Sequence, residues 1–149
     1  MLQRARVIAD YQFGKGTGIH LFPEGCEFTL SKTGRVRQIL FRSKRIATIR
    51  AEDGRLTLSI EGAARLHGHL PAPVNRVVIS RDVSDFVSEG KNAFARHVIQ
   101  ADEGIRAGDE VMIVTEGDQL IATGMAMLSG TEMLSFNYGV AVKVRQGRS

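Results

Sequence analysis

The sequence predicts an α+β chain of two small domains: an N-terminal α/β domain built on an antiparallel sheet, then a C-terminal pseudo-β-barrel. Three observations carry this expectation. Apolar residues recur at helical spacing near the start and switch to alternation from Glu27 onward. Two of the three prolines fall together in Pro71-Ala72-Pro73, and prolines so clustered mark a joint. Formal charge changes sign there. Residues 1–74 carry twelve Lys and Arg against six Asp and Glu, net +6, while residues 75–149 carry eight against ten, net −2. The domains are therefore drawn as 1–73 and 74–149.

The elements follow in order. Ala5, Ile8, Ala9 and Phe13 sit near helical spacing, and Gly14 follows as a C′ residue, which predicts a helix over Gln3–Phe13. Gly14-Lys15-Gly16-Thr17-Gly18 reads as a flexible connector before the apolar stretch Ile19–Phe22. It fits neither G-x-x-x-x-G-K-[S/T] nor G-x-G-x-x-G, and a helix precedes it, so it is a cap and turn and not a phosphate loop. Phe28 and Leu30, then Val36, Ile39 and Phe41, then Ile46 and Thr48, then Leu56, Leu58 and Ile60 alternate as short strands. Asp53-Gly54 between the last two is a strong local hairpin signal. The result is a meander of about four strands, with a helix over Glu61–Leu70 covering one face.

After the joint, Arg76–Ser80 reads as a strand, and Asp82 as the N-cap of a helix over Val83–Glu89 that Gly90 closes. Phe94–Gln100, Glu110–Thr115, Gln119–Met127 and Gly139–Arg145 read as further strands, with a helical turn from Ser129 or Thr131 to Phe136. Closure into a barrel is the usual way to satisfy the edges of so many short strands. Met125, Met127 and Met133 are assigned to the barrel core.

Composition excludes several classes. Hydrophobic residues make 43% and charged residues 24%, which is ordinary for a globular chain. No apolar run approaches the roughly 20 residues of a membrane helix. The N-terminus has no apolar core with a cleavage site, so a cytoplasmic location without membrane attachment is expected. The single cysteine, Cys26, excludes an internal disulfide and a cysteine-cluster zinc site. It lies between Glu24 and Glu27, acids that hold a thiol protonated and argue against a nucleophile. His67-Gly68-His69 falls at a helix end, where ligands two apart do not converge, and His20 and His97 stand alone. The expectation is a chain with no catalytic residues, no metal and no cofactor.

The second half resembles the PUA domain, the small pseudo-barrel shared by pseudouridine synthases and archaeosine transglycosylases. The likeness rests on Phe94-Ala95-Arg96-His97-Val98-Ile99, Ile105-Arg106-Ala107-Gly108-Asp109-Glu110-Val111, Leu120-Ile121-Ala122-Thr123-Gly124 and Gly139-Val140-Ala141-Val142-Lys143-Val144-Arg145. The first half is similar to the domain that precedes PUA in archaeal archaeosine tRNA-guanine transglycosylases. That likeness rests on residues 9–16, the Thr33–Arg37 turn, and Asp53–Leu58 followed by Gly62–Leu66. The resemblance implies an archaeal-type protein equivalent to the C-terminal part of such an enzyme, without its catalytic barrel and zinc site, and made as a separate chain.

It also implies a partner. In the family the PUA domain holds the acceptor stem and single-stranded 3′ end of tRNA, so the matching positions here become candidates for RNA contact. They are Gly90, Lys91, Asn92 and Phe94 in the helix-to-strand loop, and Tyr138, Lys143 and Arg145 on the last strand and its approach. Lysine and arginine neutralise phosphates, and unpaired bases stack on aromatic faces. Relatives often carry a basic pair before the last-strand glycine, where this chain has Asn137-Tyr138. Arg35, Arg37, Arg42, Lys44 and Arg45 form a second candidate footprint, with antiparallel pairing expected to merge them into one patch. The function expected is non-catalytic binding of tRNA or another structured RNA near its acceptor stem or 3′ end. The alternatives are an accessory subunit of a separately encoded tRNA-modifying transglycosylase and a protein-interaction module.

Overall fold

In the computed structural model, which describes all 149 residues, helix α1 (Leu2–Phe13) buries Ala5 and Ala9, and the N–H of Gly14 donates to the Asp10 carbonyl at 2.9 Å. The segment after it is not a flexible connector. Thr17–Leu21 forms a short helix, α2, whose Gly18 N–H donates to the Asp10 carboxylate at 2.6 Å. An α1 side chain thus satisfies one orphan donor of α2, and full burial of Leu21 and Phe22 holds the turn in place.

Four strands follow as an antiparallel meander in the order β1-β2-β3-β4: β1 (Glu27–Leu30), β2 (Val36–Phe41), β3 (Lys44–Ile49) and β4 (Leu56–Leu58). Arg42 and Ser43 turn β2 into β3, with φ of 51° and 67°. Two positive φ values in a two-residue loop match the right-handed twist of the strands. Helix α3 (Ile60–His69) packs on this sheet through Ala63 and Leu66, with Ala64 exposed. The edge at β4 is covered by a side chain: the Gln12 amide donates to the Leu56 carbonyl at 2.9 Å and accepts its N–H at 2.7 Å. Gln12 thereby stands in for a further strand.

These elements make one compact unit, Met1–His69, and Leu70–Ser149 makes a second. In the second unit β5 (Arg76–Ile79), α4 (Ser84–Ser88), β6 (Ala93–Phe94), β7 (Val98–Ala101), β8 (Glu110–Val114), β9 (Leu120–Ala126), α5 (Gly130–Ser135) and β10 (Val140–Gly147) follow in order. The six strands pair as β6-β10-β9-β8-β5-β7, with β5–β8 the parallel pair. The two edge strands, β6 and β7, are joined by one 3-10 turn, Ala95–His97. A three-residue link between opposite edges requires the sheet to curl on itself, so the unit is a nearly closed barrel. Val77, Ile79, Val111, Ile113, Ile121 and Met133 fill its interior.

Three local expectations are corrected. The strand read over Phe94–Gln100 is broken by that turn, because closure needs a corner there. Asp82 is not the N-cap of the helix before Gly90: Ser80 caps a 3-10 turn, Arg81–Val83, its hydroxyl accepting the Asp82 N–H at 3.3 Å, and α4, only five residues long, follows from Val83 with no side-chain cap. Met133 is fully buried, but Met127 is 44% exposed, because the strand pairing turns it outward.

Candidate nucleic-acid interface

The loop after α4 ends on Gly90, whose φ of +108° lies where an L side chain is strained. Its N–H and that of Lys91 turn back to the Val87 and Phe86 carbonyls at 3.0 and 3.1 Å. Lys91 and Asn92 are exposed. Asn92 is also a fastener, its side-chain carbonyl accepting the Val144 N–H of β10 at 3.0 Å. Strand β6 pairs with β10, Phe94 opposite Val140, and Ala95 N–H donates to the Gly139 carbonyl at 2.9 Å. The loop and the last strand, separated by some fifty residues in sequence, therefore lie side by side.

Around them the structure exposes aromatic and basic groups. Phe94 stands 40% exposed with the Arg96 guanidinium 5.8 Å from its ring centre. Tyr138, 73% exposed, stacks on Phe136 with centroids 6.0 Å apart and planes within 7°. Lys143 projects to solvent from β10. Arg145 is different. It lies at a bulge in the β9–β10 ladder, and its guanidinium is engaged by the carboxylate of Glu110, a side chain only 4% exposed. Much of its charge is thus spent inside the protein.

Sequence reasoning missed Phe86, Arg96 and His97. With Lys91 and Phe94 they line a cavity of about 290 Å³ beside the loop. Arg96 and His97 were assigned to a strand, and only the corner between β6 and β7 brings them to this side.

In the first unit the five basic residues do not merge. Arg35 and Arg37 lie at the start of β2, whereas Arg42, Lys44 and Arg45 lie at or beyond its far end. Four strand residues, Gln38 to Phe41, separate Arg37 from Arg42, a distance of about 16 Å at the usual rise. Pairing places Leu40 opposite Arg45 and Gln38 opposite Thr48, so β3 brings its basic residues only to the turn end. Arg35 and Arg37 are exposed. Arg42 of the β2–β3 turn and Arg65 from α3 both approach the Phe41 ring, 5.0 and 4.9 Å from its centre. Lys44 pairs with Glu61 at 3.6 Å, and Arg45 donates to the Thr48 hydroxyl at 3.1 Å.

Among groups with chemical potential, the His20 and His69 rings stack with centroids 4.1 Å apart. No group of three or more His, Cys, Asp and Glu is disposed to hold a metal. Cys26 is half-buried, and its thiol is pushed above the usual range mainly by that burial; Arg65 and Arg6 oppose the shift and Glu24 adds to it. Of the flanking acids only Glu24 contributes, and as the smallest cause. A raised thiol pKa leaves less thiolate at neutral pH. Iodoacetamide should therefore alkylate Cys26 more slowly than free cysteine at pH 7, with the midpoint of the rate–pH curve displaced upward. A rate equal to that of free cysteine would contradict the buried placement.

Comparison with known proteins identifies both units. Residues 3–73 match the patch-forming domain C2 of tRNA-guanine transglycosylase, and residues 75–148 match the PUA domain. The chain thus carries a C2-type domain followed by a PUA domain. The tRNA-guanine(15) transglycosylase of Pyrococcus abyssi is 53% identical to this C2–PUA chain over 142 residues. That match takes in 95% of the chain but 24% of the relative, in its C-terminal part. The C2–PUA chain thus spans about a quarter of the length of the curated relatives it matches. Among solved structures, a hypothetical protein of Pyrococcus horikoshii OT3 superposes with TM-score 0.75 at 23% identity, covering 98% of this chain and 89% of that one. The archaeal box H/ACA sRNP Nop10–Cbf5 complex contains a chain that matches with TM-score 0.51 at 32% identity, over 57% of this chain and 26% of that one. No helix here is long and apolar enough to cross a membrane.

Proposed function

We propose that this chain is a non-catalytic RNA-binding protein that holds tRNA or another structured RNA near its acceptor stem or 3′ end. The observation that carries the reading is the meeting of the Gly90–Phe94 loop with β10. It sets Lys91 and Lys143, as phosphate partners, beside exposed Phe94 and Tyr138, as stacking surfaces. Arg35 and Arg37 at one end of β2, and Arg42 at the other, add phosphate contacts at low sequence specificity. Arg145 contributes chiefly by fixing β10 through Glu110.

Filter binding of tRNA over a salt series tests this. Each neutralised phosphate contributes about 0.7–0.9 to the slope of log affinity against log salt. Lys91→Glu with Lys143→Glu should lower the slope by about 2 and weaken binding at least ~10-fold at low salt. An unchanged slope would remove the loop and β10 from the site.

A second reading, supported by 53% identity to the C-terminal part of a transglycosylase, is an accessory subunit for a separately encoded catalytic chain. Co-purification of a transglycosylase that survives ribonuclease supports it; loss of that partner on ribonuclease treatment returns the case to RNA binding.

A further inference from the structure

Two arginines and two carboxylates line one cavity of about 400 Å³ in the C-terminal unit: Arg81 on the 3-10 turn, Asp85 on α4, Glu116 in the β8–β9 turn, and Arg148 after β10. Arg148 is held in place. Its N–H donates to the Ile121 carbonyl at 2.8 Å, one guanidinium nitrogen donates to the Leu120 carbonyl at 3.1 Å, and the next N–H, of Ser149, donates to the Ser88 carbonyl at 2.9 Å. Yet none of the four charged side chains forms an ion pair. Opposite charges that share a cavity without meeting leave both donors and acceptors open to a ligand.

Ligand classes can be separated on that basis. A simple anion would gain from the guanidinium groups and be repelled by the carboxylates, and a simple cation would suffer the reverse. A group presenting acceptors and donors side by side on one rigid edge satisfies both sets. Nucleobases have such edges: a guanidinium reads ring nitrogen and carbonyl, and a carboxylate accepts from an amino or imino N–H. The Gln119 amide offers one donor and one acceptor more. The volume lies in the range of about 300–1,000 Å³ for small-ligand sites.

We infer that this cavity binds a single unpaired nucleotide through the edge of its base. The site is distinct from the loop cavity, since Asp85 and Ser88 of α4 line this one and Phe86 and Val87 line the other. The inference rests on the RNA-binding reading only for the source of the nucleotide.

The test is a ¹⁵N NMR titration of the full chain with GMP, AMP, CMP and UMP, with ribose 5-phosphate, and with a single-stranded RNA hexamer. Mononucleotides should shift the amides of Arg81, Glu116–Gln119, Ile121 and Arg148. Ribose 5-phosphate should bind at least ~10-fold more weakly, and Arg81→Met or Glu116→Gln should each cost about tenfold with the rest of the spectrum unchanged. Equal binding of ribose 5-phosphate, or mononucleotides that leave the cavity amides unmoved, overturns the inference. A hexamer that moves the Gly90 loop while mononucleotides leave the cavity silent sinks this site and spares the RNA-binding reading. Cavity binding with no tRNA affinity does the opposite. Occupation by mononucleotides and not by the hexamer supports the site and makes the free nucleotide its ligand.

Discussion

Asp118→Asn is expected to lower the thermal midpoint of the C-terminal unit by roughly 10 °C. Arg76 is 3% exposed and opens β5 immediately after the proline joint. Its Nε binds the Asp118 carboxylate at 3.0 Å, and one Nη donates to the Leu70 and Val74 carbonyls at 2.7 and 3.0 Å. This guanidinium therefore fastens residues 70–74 to the barrel. Removing one member of a buried pair usually costs about 3–5 kcal/mol, because the other charge is left buried. The Asp118 side chain is 39% exposed, and solvent screening reduces the expected loss to about 2 kcal/mol. Asparagine is the right substitution because Asp118 has φ of 62°, which Asn tolerates and Ala does not. Asp118→Gly, equally compatible with that φ, should cost more, since it leaves no side-chain acceptor at position 118. Thermal unfolding followed at resonances of the barrel, with hydrogen exchange at Val74 and Arg76, would decide. A midpoint within 2 °C of wild type in both variants would show that the pair does not hold the joint.

The parts legible in sequence were those whose cause is local. Alternation with Asp53-Gly54 between β3 and β4 announces a hairpin, and the helical turn opening at Ser129 or Thr131 is α5, whose N-cap the structure fixes at Ser129 with a capping box to Glu132. Both ends of that capping box lie within one turn: the Ser129 hydroxyl accepts the Glu132 N–H, and the Glu132 carboxylate accepts the Ser129 N–H. Helix α2 was missed because its order comes from Asp10, eight residues away, and no propensity records that bond. The break after Phe94 was missed for a similar reason. A run such as Phe94-Ala95-Arg96-His97-Val98-Ile99 alternates well enough for one strand, and only the need to join opposite edges of a closed sheet imposes a corner.

The interface divides in the same way. Exposure of Lys91, Phe94 and Tyr138 follows from a loop and a strand end, and both are visible in the residue pattern. The state of Arg145 does not follow, because its partner Glu110 lies thirty-five residues upstream and is brought alongside by two strand pairings. Nor does the division of the first-unit arginines. Spacing puts Arg35 and Arg37 on one face of a strand, but the length of β2 carries Arg42 away from them. Charge density counted along a sequence overstates a patch whenever an extended strand intervenes.

Gly124→Ala should destabilise the barrel by about 3 kcal/mol and weaken RNA binding with it. Gly124 is buried on β9 opposite Val144 of β10. A Cβ there would overlap the Lys143 carbonyl oxygen and lie 2.9 Å from the Val144 Cα. Both obstacles are backbone, so no rotamer change relieves them and β10 itself has to move. The ladder shifts register between Val144 and Gln146, so the close approach and the bulge occupy the same stretch. Pushing β10 outward displaces Lys143, loosens Arg145 from Glu110 and strains the bond from the Val144 N–H to Asn92. One methyl group thus acts on the core, on a buried ion pair and on the anchor of the Gly90 loop. Chemical denaturation should show the stability loss, and tRNA binding at a temperature where the variant is fully folded should show at least a threefold weaker affinity, about 0.7 kcal/mol. Lys143→Gln separates the two effects: it removes the charge without moving the strand, so it should weaken binding at unchanged stability. Wild-type stability in Gly124→Ala would refute the close strand approach, and a stability loss without an affinity loss would remove β10 from the RNA surface.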